Sequence, residues 1–289
     1  MLATLPDVVF TAAPAVSPER VLNLVLLGQM RAGLEVLRTA LCCHPSVHCH
    51  GELLHTSDKV RRRCHELYFG KVSGSDRLPD FCAQVVPRGR SPLEGRSNPE
   101  RYLTSVLKRP LRGEKVLGLK LTYPQVLSND LWDFMENRAR TRPGALCAIH
   151  VYRNPLVCLT SWKQAQQSRL WRLSEGNASA PRRRVAVPVP VRLELDEVVA
   201  YVRQHEAAAR KTRQYNPDLL DLQYSDLLYY PRQTLQRVWR YLEVADCLAA
   251  RPSQLRLPNR SMRARVSNWD ALERAVPSDV RPSFHEHLH

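Results

Sequence analysis

The 289-residue sequence has no run of about 18 apolar residues, so we expect no membrane-spanning helix. Its first residues lack both a basic leader and a long apolar core, which is not typical of a signal peptide and favours a soluble, cytoplasmic protein. Aromatic residues make up 7% of the chain and are not interleaved with its basic runs. No nucleic-acid-binding motif is recognisable either, so we expect no specific binding of DNA or RNA.

No two of the eight cysteines have the C-x-x-C spacing of many zinc sites. Residues 42–50 contain suitable nitrogen and sulfur donors, but no second cluster with finger-like spacing follows. We therefore expect no metal. Cys147 and Cys158 lie in apolar stretches and are predicted to be buried thiols. Nothing in the spacing demands disulfides, and their presence stays open.

The net charge of +15 and the pI of about 9.8 favour anionic partners such as nucleotides, sulfated or phosphorylated substrates, nucleic acid or anionic lipid. Two arginine runs, 61–63 and 182–184, contribute to this excess. The second run lies in a proline-rich stretch and is predicted to be a solvated, extended loop.

Strands alternate with helices along the chain, which predicts a three-layer α/β fold with a central, mostly parallel sheet flanked by helices. We expect one domain over 21–275 after an irregular lead-in at 1–20 and before a tail at 276–289, with loop insertions near 70–98 and 174–192. The predicted strands cover 21–27, 115–121, 145–151 and 219–224. The predicted helices cover 34–43, 58–69, 100–108, 128–138, 156–168, 194–214 and 231–243.

The first strand stops at Gly28, and a helix begins after Gly33. Such a turn directs backbone N–H groups and the positive end of the helix dipole at one spot, which suits phosphate or sulfate. Arg31 adds a full charge there. The two glycines have the spacing of a Walker A loop, but Leu34 and Glu35 replace its Lys and Ser/Thr. ATP or GTP hydrolysis is therefore disfavoured, and an ordinary strand-to-helix turn is the alternative interpretation.

A second segment suited to an anion follows the third predicted strand. Arg153 ends this strand, and Ser161 lies eight residues later in the next helix. A forked guanidinium and a hydroxyl at this spacing can converge on one anion. The alternative is an arginine at a strand end and an unrelated serine on a helix face.

Together these segments resemble the sulfotransferase family, whose members are similar in fold to P-loop kinases. The resemblance spans about residues 22–272. The second family motif, Arg-Asn-Pro with a later serine, is matched in full by residues 153–161, whereas the first motif is degenerate. Further similar segments are His44-Pro45 with Gly51-Glu52-Leu53, GLKLTYPQ at 118–125, the block at 222–244, and RARVSNWDAL at 263–272.

The resemblance implies sulfuryl transfer from 3′-phosphoadenosine 5′-phosphosulfate to a hydroxyl of a carbohydrate or related acceptor. It implies a base at Glu52, with His50 or His55 as second choices, and a leaving phosphate neutralised by Arg31. A helix-start or surface carboxylate is the alternative for Glu52. Lys120 could face the sulfate, although a solvated strand end is the alternative, and Trp269 could cover the adenine unless it is a packed tryptophan. Arg260 is a further candidate for the 3′-phosphate. The expected donor-binding residues are Gly28, Arg31, Ala32, Gly33, Leu34, Glu35, Arg153, Ser161, Arg263 and Arg265.

The first motif departs from the family because Ala32 and Leu34 replace hydroxyl residues and Glu35 is acidic. Each lost hydroxyl donor costs on the order of 1 kcal/mol of binding. A catalytically lapsed module that binds a nucleotide or polyanion is therefore the alternative function. The acceptor and the oligomeric state, with a homodimer among the options, stay open.

Overall fold

Five parallel strands form the central sheet of the computed structural model, which describes residues 21–54, 99–107, 113–128, 130–141, 146–168, 189–215, 218–247 and 261–285. The strand order is β2-β3-β1-β4-β5, and each neighbouring pair is parallel. The strands are β1 (Leu22–Gly28), β2 (Val47–His50), β3 (Val116–Thr122), β4 (Leu146–Tyr152) and β5 (Leu220–Gln223).

Helices connect these strands and continue after the last one. In the first part of the chain they are α1 (Leu34–Leu41), α2 (Pro99–Val106), α3 (Tyr123–Ser128), α4 (Trp132–Thr141) and α5 (Pro155–Ser168). In the second part they are α6 (Leu195–Tyr215), α7 (Tyr224–Tyr229), α8 (Pro231–Tyr241), α9 (Met262–Arg265), α10 (Trp269–Ala275) and α11 (Pro282–His285). None of the helices in the described ranges is long and apolar enough to cross a membrane.

The helices cover both faces of the sheet, so the predicted three-layer α/β class is confirmed. Successive side chains of a strand point to opposite faces. Leu24 and Leu26 of β1 accordingly pack with α1 and α8 on one face. Val25 and Leu27 pack with α2, α3, α4 and α6 on the other face. A third apolar cluster joins α5 and α6 to the C-terminal helices.

The chain changes direction at β1, which positions the candidate site. From β1 it moves to β2 and β3 on one side, and then crosses to β4 and β5 on the other. In open α/β sheets ligands bind beside the carboxyl ends of the strands at such a switch point. The loop after β1 and the ends of β3 and β4 therefore share one edge, as the sequence motifs require.

The four predicted strands agree with the structure to within about one residue at each end. The edge strand β2 was not predicted because it has four residues, two of them histidines. The helix predicted over 128–138 begins instead at Trp132, after the separate short helix α3. The expected tail after residue 275 contributes Val276, Val280 and Phe284 to the buried third cluster.

Several predicted features lie outside the described residues. They are the lead-in at 1–20, the helix over 58–69, the loop 70–98, both arginine runs, most of the insertion at 174–192, and the candidates His55 and Arg260.

Candidate functional site

Close packing explains why glycines bound the loop after β1. A Cβ atom at Gly28 would lie 2.5 Å from the carbonyl oxygen of Val151 in β4. Gly33 has a left-handed φ of +96°, and a Cβ atom there would lie 2.2 Å from the ring of Tyr224. Both positions thus exclude larger side chains, and the loop is held against the ends of β4 and β5.

The first turn of α1 is the part of this loop that suits an anion. Gly33 is the N-cap, and the N–H of Leu37 donates to its carbonyl at 3.1 Å. The N–H groups of a first helical turn have no acceptor within the helix, and glycine has no side chain to cap them. These donors and the helix dipole favour negative charge at this point.

The two segments predicted to bind an anion lie against each other. Nε of Arg31 donates to Oγ of Ser161 at 3.1 Å, and Nη1 of Arg153 donates to the carbonyl oxygen of Arg31 at 2.8 Å. Arg31 has a left-handed φ of 71°, which is uncommon for a residue with a side chain. The turn therefore contacts β4 and α5, as expected if the two segments bind one ligand, although the direct contact of Arg31 with Ser161 was not predicted.

Tyr224 packs against both Arg153 and Gly33, a role that the sequence did not predict. Its ring lies 4.1 Å from the guanidinium carbon of Arg153 and also fills the space beside Gly33. A guanidinium over an aromatic face gains cation–π attraction while its edges stay available for hydrogen bonds. The segment 222–244 resembles a conserved block of the family, but this resemblance assigns no role to Tyr224.

A third arginine comes from the C-terminal part of the chain. Nη2 of Arg265 donates to Oε1 of Gln164 in α5 at 2.9 Å. Burial, together with the positive charges of Arg153 and Arg31, lowers the pKa of Arg265 to about 10. We call Arg31, Arg153, Arg265 and Ser161 the cation cluster.

Two arginines of the cation cluster have no described carboxylate partner, and some buried donors in or next to the cluster are unsatisfied. In the ranges that the structure covers, neither Arg153 nor Arg265 pairs with a carboxylate. Nε of Arg153, Oγ1 of Thr160 and Nε2 of Gln164 are buried without a hydrogen-bond partner among those same residues. Buried donors and cations are costly unless something accepts from them, and a ligand with several negative charges fits this cluster.

A second group of charged residues lies on the other side of the loop, toward β3 and β2. Glu35 accepts hydrogen bonds from Arg38 at 2.8 and 3.1 Å and from Nζ of Lys120 at 2.9 Å. Nζ of Lys120 also lies 2.8 Å from Oε1 of Glu52. We call these four residues the balanced network, because each of the two cations contacts a carboxylate.

The balanced network explains how the fold accommodates an acidic residue at position 35. Burial opposes ionisation of Glu35, but hydrogen bonds from Arg38 and the charge of Lys120 outweigh it and lower the pKa to about 2. Its charge is thus neutralised by neighbours. Lys120 is 5% exposed, so the expectation of a solvated strand end is wrong.

The remaining candidates have mixed surroundings. Glu52 follows β2 and is 26% exposed, whereas His50 is 1% exposed and packs against His48. Arg263 forms ion pairs with Asp270 and Glu273 on the solvent side, and its contacts differ from those of Arg265. Trp269 is buried against Phe284, which agrees with the alternative of a packed tryptophan.

The predicted burial is confirmed for Cys158, whereas Cys147 is only half-buried. Six cysteines in the described ranges are free thiols. Within these ranges no group of three or more His, Cys, Asp or Glu side chains is arranged to hold a metal ion.

No protein-family model matches the sequence, and neither does any curated protein. Three similar solved structures are all sulfotransferases, the family that the motifs resemble. The sulfotransferase domain of the Synechococcus PCC 7002 olefin synthase is 14% identical with a TM-score of 0.42, and the match covers 93% of this chain and 88% of that domain.

The sulfotransferase from Alicyclobacillus acidocaldarius is 13% identical with a TM-score of 0.44, covering 93% of this chain and 96% of that one. A sulfotransferase from Mycobacterium avium is 14% identical with a TM-score of 0.42, covering 94% of this chain and 77% of that one. These scores and identities are low, so the function proposed below rests on the residues of the site.

Proposed function

We propose that this protein transfers a sulfuryl group from 3′-phosphoadenosine 5′-phosphosulfate to a hydroxyl of a carbohydrate or related acceptor. The observation that carries the proposal is the cation cluster, in which three arginines and Ser161 meet beside the anion-suited turn. A nucleotide with phosphate groups at two separate positions supplies the charge that this cluster lacks.

The cation cluster and the loop bind different phosphate groups of the sulfuryl donor. Arg153, Ser161 and Arg265 hold the 3′-phosphate in this proposal. Arg31 hydrogen-bonds to both Arg153 and Ser161, and the charges of Arg31 and Arg153 act on Arg265. The backbone N–H groups at the start of α1 hold the 5′-phosphosulfate, and Arg31 lies between the two sites. Fixed positive charge in a partly buried site then stabilises the leaving phosphate.

The acceptor hydroxyl must lose a proton during transfer, and Glu52 is the proposed base. The donor supplies the sulfuryl group and a phosphate that leaves with the electron pair of the broken S–O bond. As the acceptor oxygen bonds to sulfur, its proton passes to a carboxylate oxygen of Glu52 and later to solvent. Lys120, 2.8 Å from Glu52, orients that carboxylate beside the loop.

A catalytically lapsed module is the second candidate, and the loop itself favours it. Ala32 and Leu34 are both buried and offer no hydroxyl to the 5′-phosphosulfate. This candidate keeps the cation cluster as a nucleotide-binding site and dispenses with transfer. The two candidates therefore agree on binding and differ on turnover.

Calorimetric titration with adenosine 3′,5′-bisphosphate tests the shared part of the proposal, with ATP as the control ligand. We expect a dissociation constant on the order of micromolar. Arg153→Ala should weaken it about 100-fold, since it removes charged hydrogen bonds to phosphate. The matched control is Arg203→Ala, which removes an arginine paired with Asp279 on the surface. No binding, or equal binding of ATP, would refute the proposal.

Transfer of labelled sulfate from the donor to a panel of sugars then separates the two candidates. Labelled product that disappears in both Arg153→Ala and Glu52→Gln supports the enzyme. Tight bisphosphate binding without product on any acceptor supports the lapsed module.

A further inference from the structure

Arg265 is held in the cation cluster from two sides. Its side chain donates to Gln164 of α5, and its carbonyl oxygen accepts from the N–H of Val191 at 2.9 Å. Burial and the charges of Arg153 and Arg31 lower its pKa to about 10, so neighbouring cations repel it. The main chain that carries Arg265 therefore has to be fixed against this repulsion.

Residues 265–268 pair with residues 191–193, and we call these two stretches the paired segments. Val266 is extended and forms a parallel β-bridge with Val191. The N–H of Ser267 donates to the carbonyl oxygen of Val191 at 2.9 Å. Val191 thus holds the chain on both sides of Val266, and both valines are buried.

Asn268 extends this pairing with its side chain. Its Oδ1 accepts from the N–H of Leu193 at 3.2 Å, and its Nδ2 donates to the carbonyl oxygen of Leu193 at 2.7 Å. A side-chain amide that exchanges both hydrogen bonds with one residue reproduces the pattern of a backbone pair in a sheet. The amide thereby extends the pairing from Val191 to Leu193.

The amide of Asn268 is diverted from the role that its position favours. Asn268 is the N-cap of α10, where an asparagine side chain commonly accepts from an N–H of the first helical turn. Within the described residues its side chain makes no such capping bond. The amide bonds to Leu193 instead, so its contribution lies in the paired segments.

The pairing also explains which arginine of α9 joins the cation cluster. Arg263 and Arg265 lie in the same four-residue helix, but Arg263 pairs with carboxylates on the solvent side. Arg265 is the last residue of this helix and directly precedes the bridge at Val266. Fixing the bridge therefore fixes the main chain of Arg265.

We propose that Asn268 is a positioning residue that keeps Arg265 in the cation cluster and thereby raises the affinity for the 3′-phosphate of the donor. This inference rests on the proposed function, because the 3′-phosphate site is assigned there. Asn268 acts through Arg265, since its Oδ1 and Nδ2 both bond to Leu193. Its removal therefore cannot cost more affinity than the removal of Arg265 itself.

A double-mutant cycle tests this role, with the affinity for adenosine 3′,5′-bisphosphate measured by calorimetric titration. Asn268→Ala should weaken binding about 5- to 10-fold, less than the roughly 20-fold loss expected of Arg265→Met. In the Arg265→Met background, Asn268→Ala should change the affinity by less than about twofold, because the group that it positions is gone. Equal losses in the two backgrounds would overturn the inference.

Adenosine 5′-phosphate gives a second readout, because it lacks the 3′-phosphate. Asn268→Ala should bind it within about twofold of the unsubstituted protein, since no charged hydrogen bond from Arg265 is at stake. A loss as large as that for the bisphosphate would mean a general defect of the site and would refute the positioning role.

The matched control is Tyr241→Phe. The hydroxyl of Tyr241 also bonds to the main chain, at Ala148 near the start of β4 and at Asp218. Loss of these bonds should lower the midpoint of urea denaturation, as in Asn268→Ala, and leave the affinity for the bisphosphate unchanged. A similar loss of affinity in this control would show that reduced stability alone weakens binding, and it would overturn the inference.

If Asn268→Ala fails to fold, Asn268→Ser is compared in the same two backgrounds, and the same outcomes decide. Failure of the proposed function is distinguishable, because the unsubstituted protein would then not bind the bisphosphate. Binding by the unsubstituted protein with no loss in Asn268→Ala would leave the proposed function intact and refute the role of Asn268.

Discussion

The cation cluster and the balanced network lie on opposite sides of one short loop, yet they bury charge in opposite ways. In the cation cluster, Arg153 and Arg265 have a carbonyl, a ring and an amide as partners. In the balanced network, each cation contacts a carboxylate within about 3 Å. Among the described residues, each cation of the balanced network has a carboxylate partner, whereas Arg153 and Arg265 of the cation cluster have none. The difference supports the proposal that an anion binds on the side of the cation cluster.

Two lowered pKa values express this difference in terms of stability. The pKa of Glu35 falls from 4.5 to about 2, so the fold favours its charged form and gains stability from it. The pKa of Arg265 falls from 12.5 to about 10, so the fold disfavours its charged form and loses stability. An anion bound beside Arg265 would remove that cost. Ligand binding and folding are therefore expected to be coupled at the cation cluster alone.

The largest expected effect comes from removing the central cation of the balanced network. Lys120→Met leaves Glu35 and Glu52 without their shared ammonium, and breaking a largely buried ion pair is strongly destabilising. Because both carboxylates are partly exposed, we expect a loss of about 2–3 kcal/mol in the free energy of unfolding, measured by urea denaturation at pH 7. Glu35→Gln/Lys120→Met should recover part of this loss. An unaltered stability in Lys120→Met would contradict the description of the network.

The second effect is the pH dependence that Glu35 gives to stability. Because its folded pKa is depressed, its contribution is fully present above the unfolded value of 4.5 and is lost as the pH falls through about 2. Relative to Glu35→Gln, the protein should be more stable by about 2 kcal/mol at pH 7, and about 1 kcal/mol of this should be lost by pH 3.5.

Urea denaturation of both proteins at pH 7, 5 and 3.5 measures this difference. The two values at pH 7 and pH 5 should agree closely, because both lie above the unfolded pKa. A difference that is constant down to pH 3.5 would mean that Glu35 is not held by Arg38 and Lys120 in solution.

Most of the sheet follows from the sequence because buried parallel strands are continuous apolar runs. LNLVLLG and KVLGLKL have this form, and both are strands of the centre of the sheet. The missed strand β2 lies at the edge and contains His48 and His50, whose burial depends on tertiary neighbours. The local sequence pattern does not report tertiary neighbours, so it cannot predict a short polar edge strand.

The candidate site was predictable in part for a similar reason. Arg31 and Arg153 follow strand ends and Ser161 lies two turns into the next helix, and the order of these elements places the three residues together. The pairing of Arg31 with Ser161 and the packing of Tyr224 on Gly33 depend on how β1, β4 and β5 meet. The neutralisation of Glu35 by Lys120 could not be predicted, because it joins residues 85 positions apart in the sequence.

The third effect concerns Arg265 of the cation cluster. Unlike the removal of Lys120, its removal is not expected to destabilise the unliganded protein. Arg265→Met removes a buried cation that Arg153 and Arg31 repel, so the unliganded protein should keep its stability or gain about 0.5 kcal/mol. Its affinity for adenosine 3′,5′-bisphosphate should fall about 20-fold, the loss of one charged hydrogen-bonding group. Arg203→Met, which removes an exposed arginine paired with Asp279, is the matched control and should leave the affinity for the bisphosphate unchanged.

The smallest effect concerns the ring beneath Arg153. Tyr224→Leu removes the aromatic face and its packing against Gly33, and the bisphosphate should bind about 5-fold more weakly, the value of a partly exposed cation–π contact. Tyr224→Phe keeps the face and should bind as the unsubstituted protein does. Calorimetric titration of both variants measures the contrast. If Tyr224→Phe weakens binding as much as Tyr224→Leu, the phenolic hydroxyl contacts the ligand directly. Tyr224 would then belong to the binding site, and its role would not be limited to packing against Arg153.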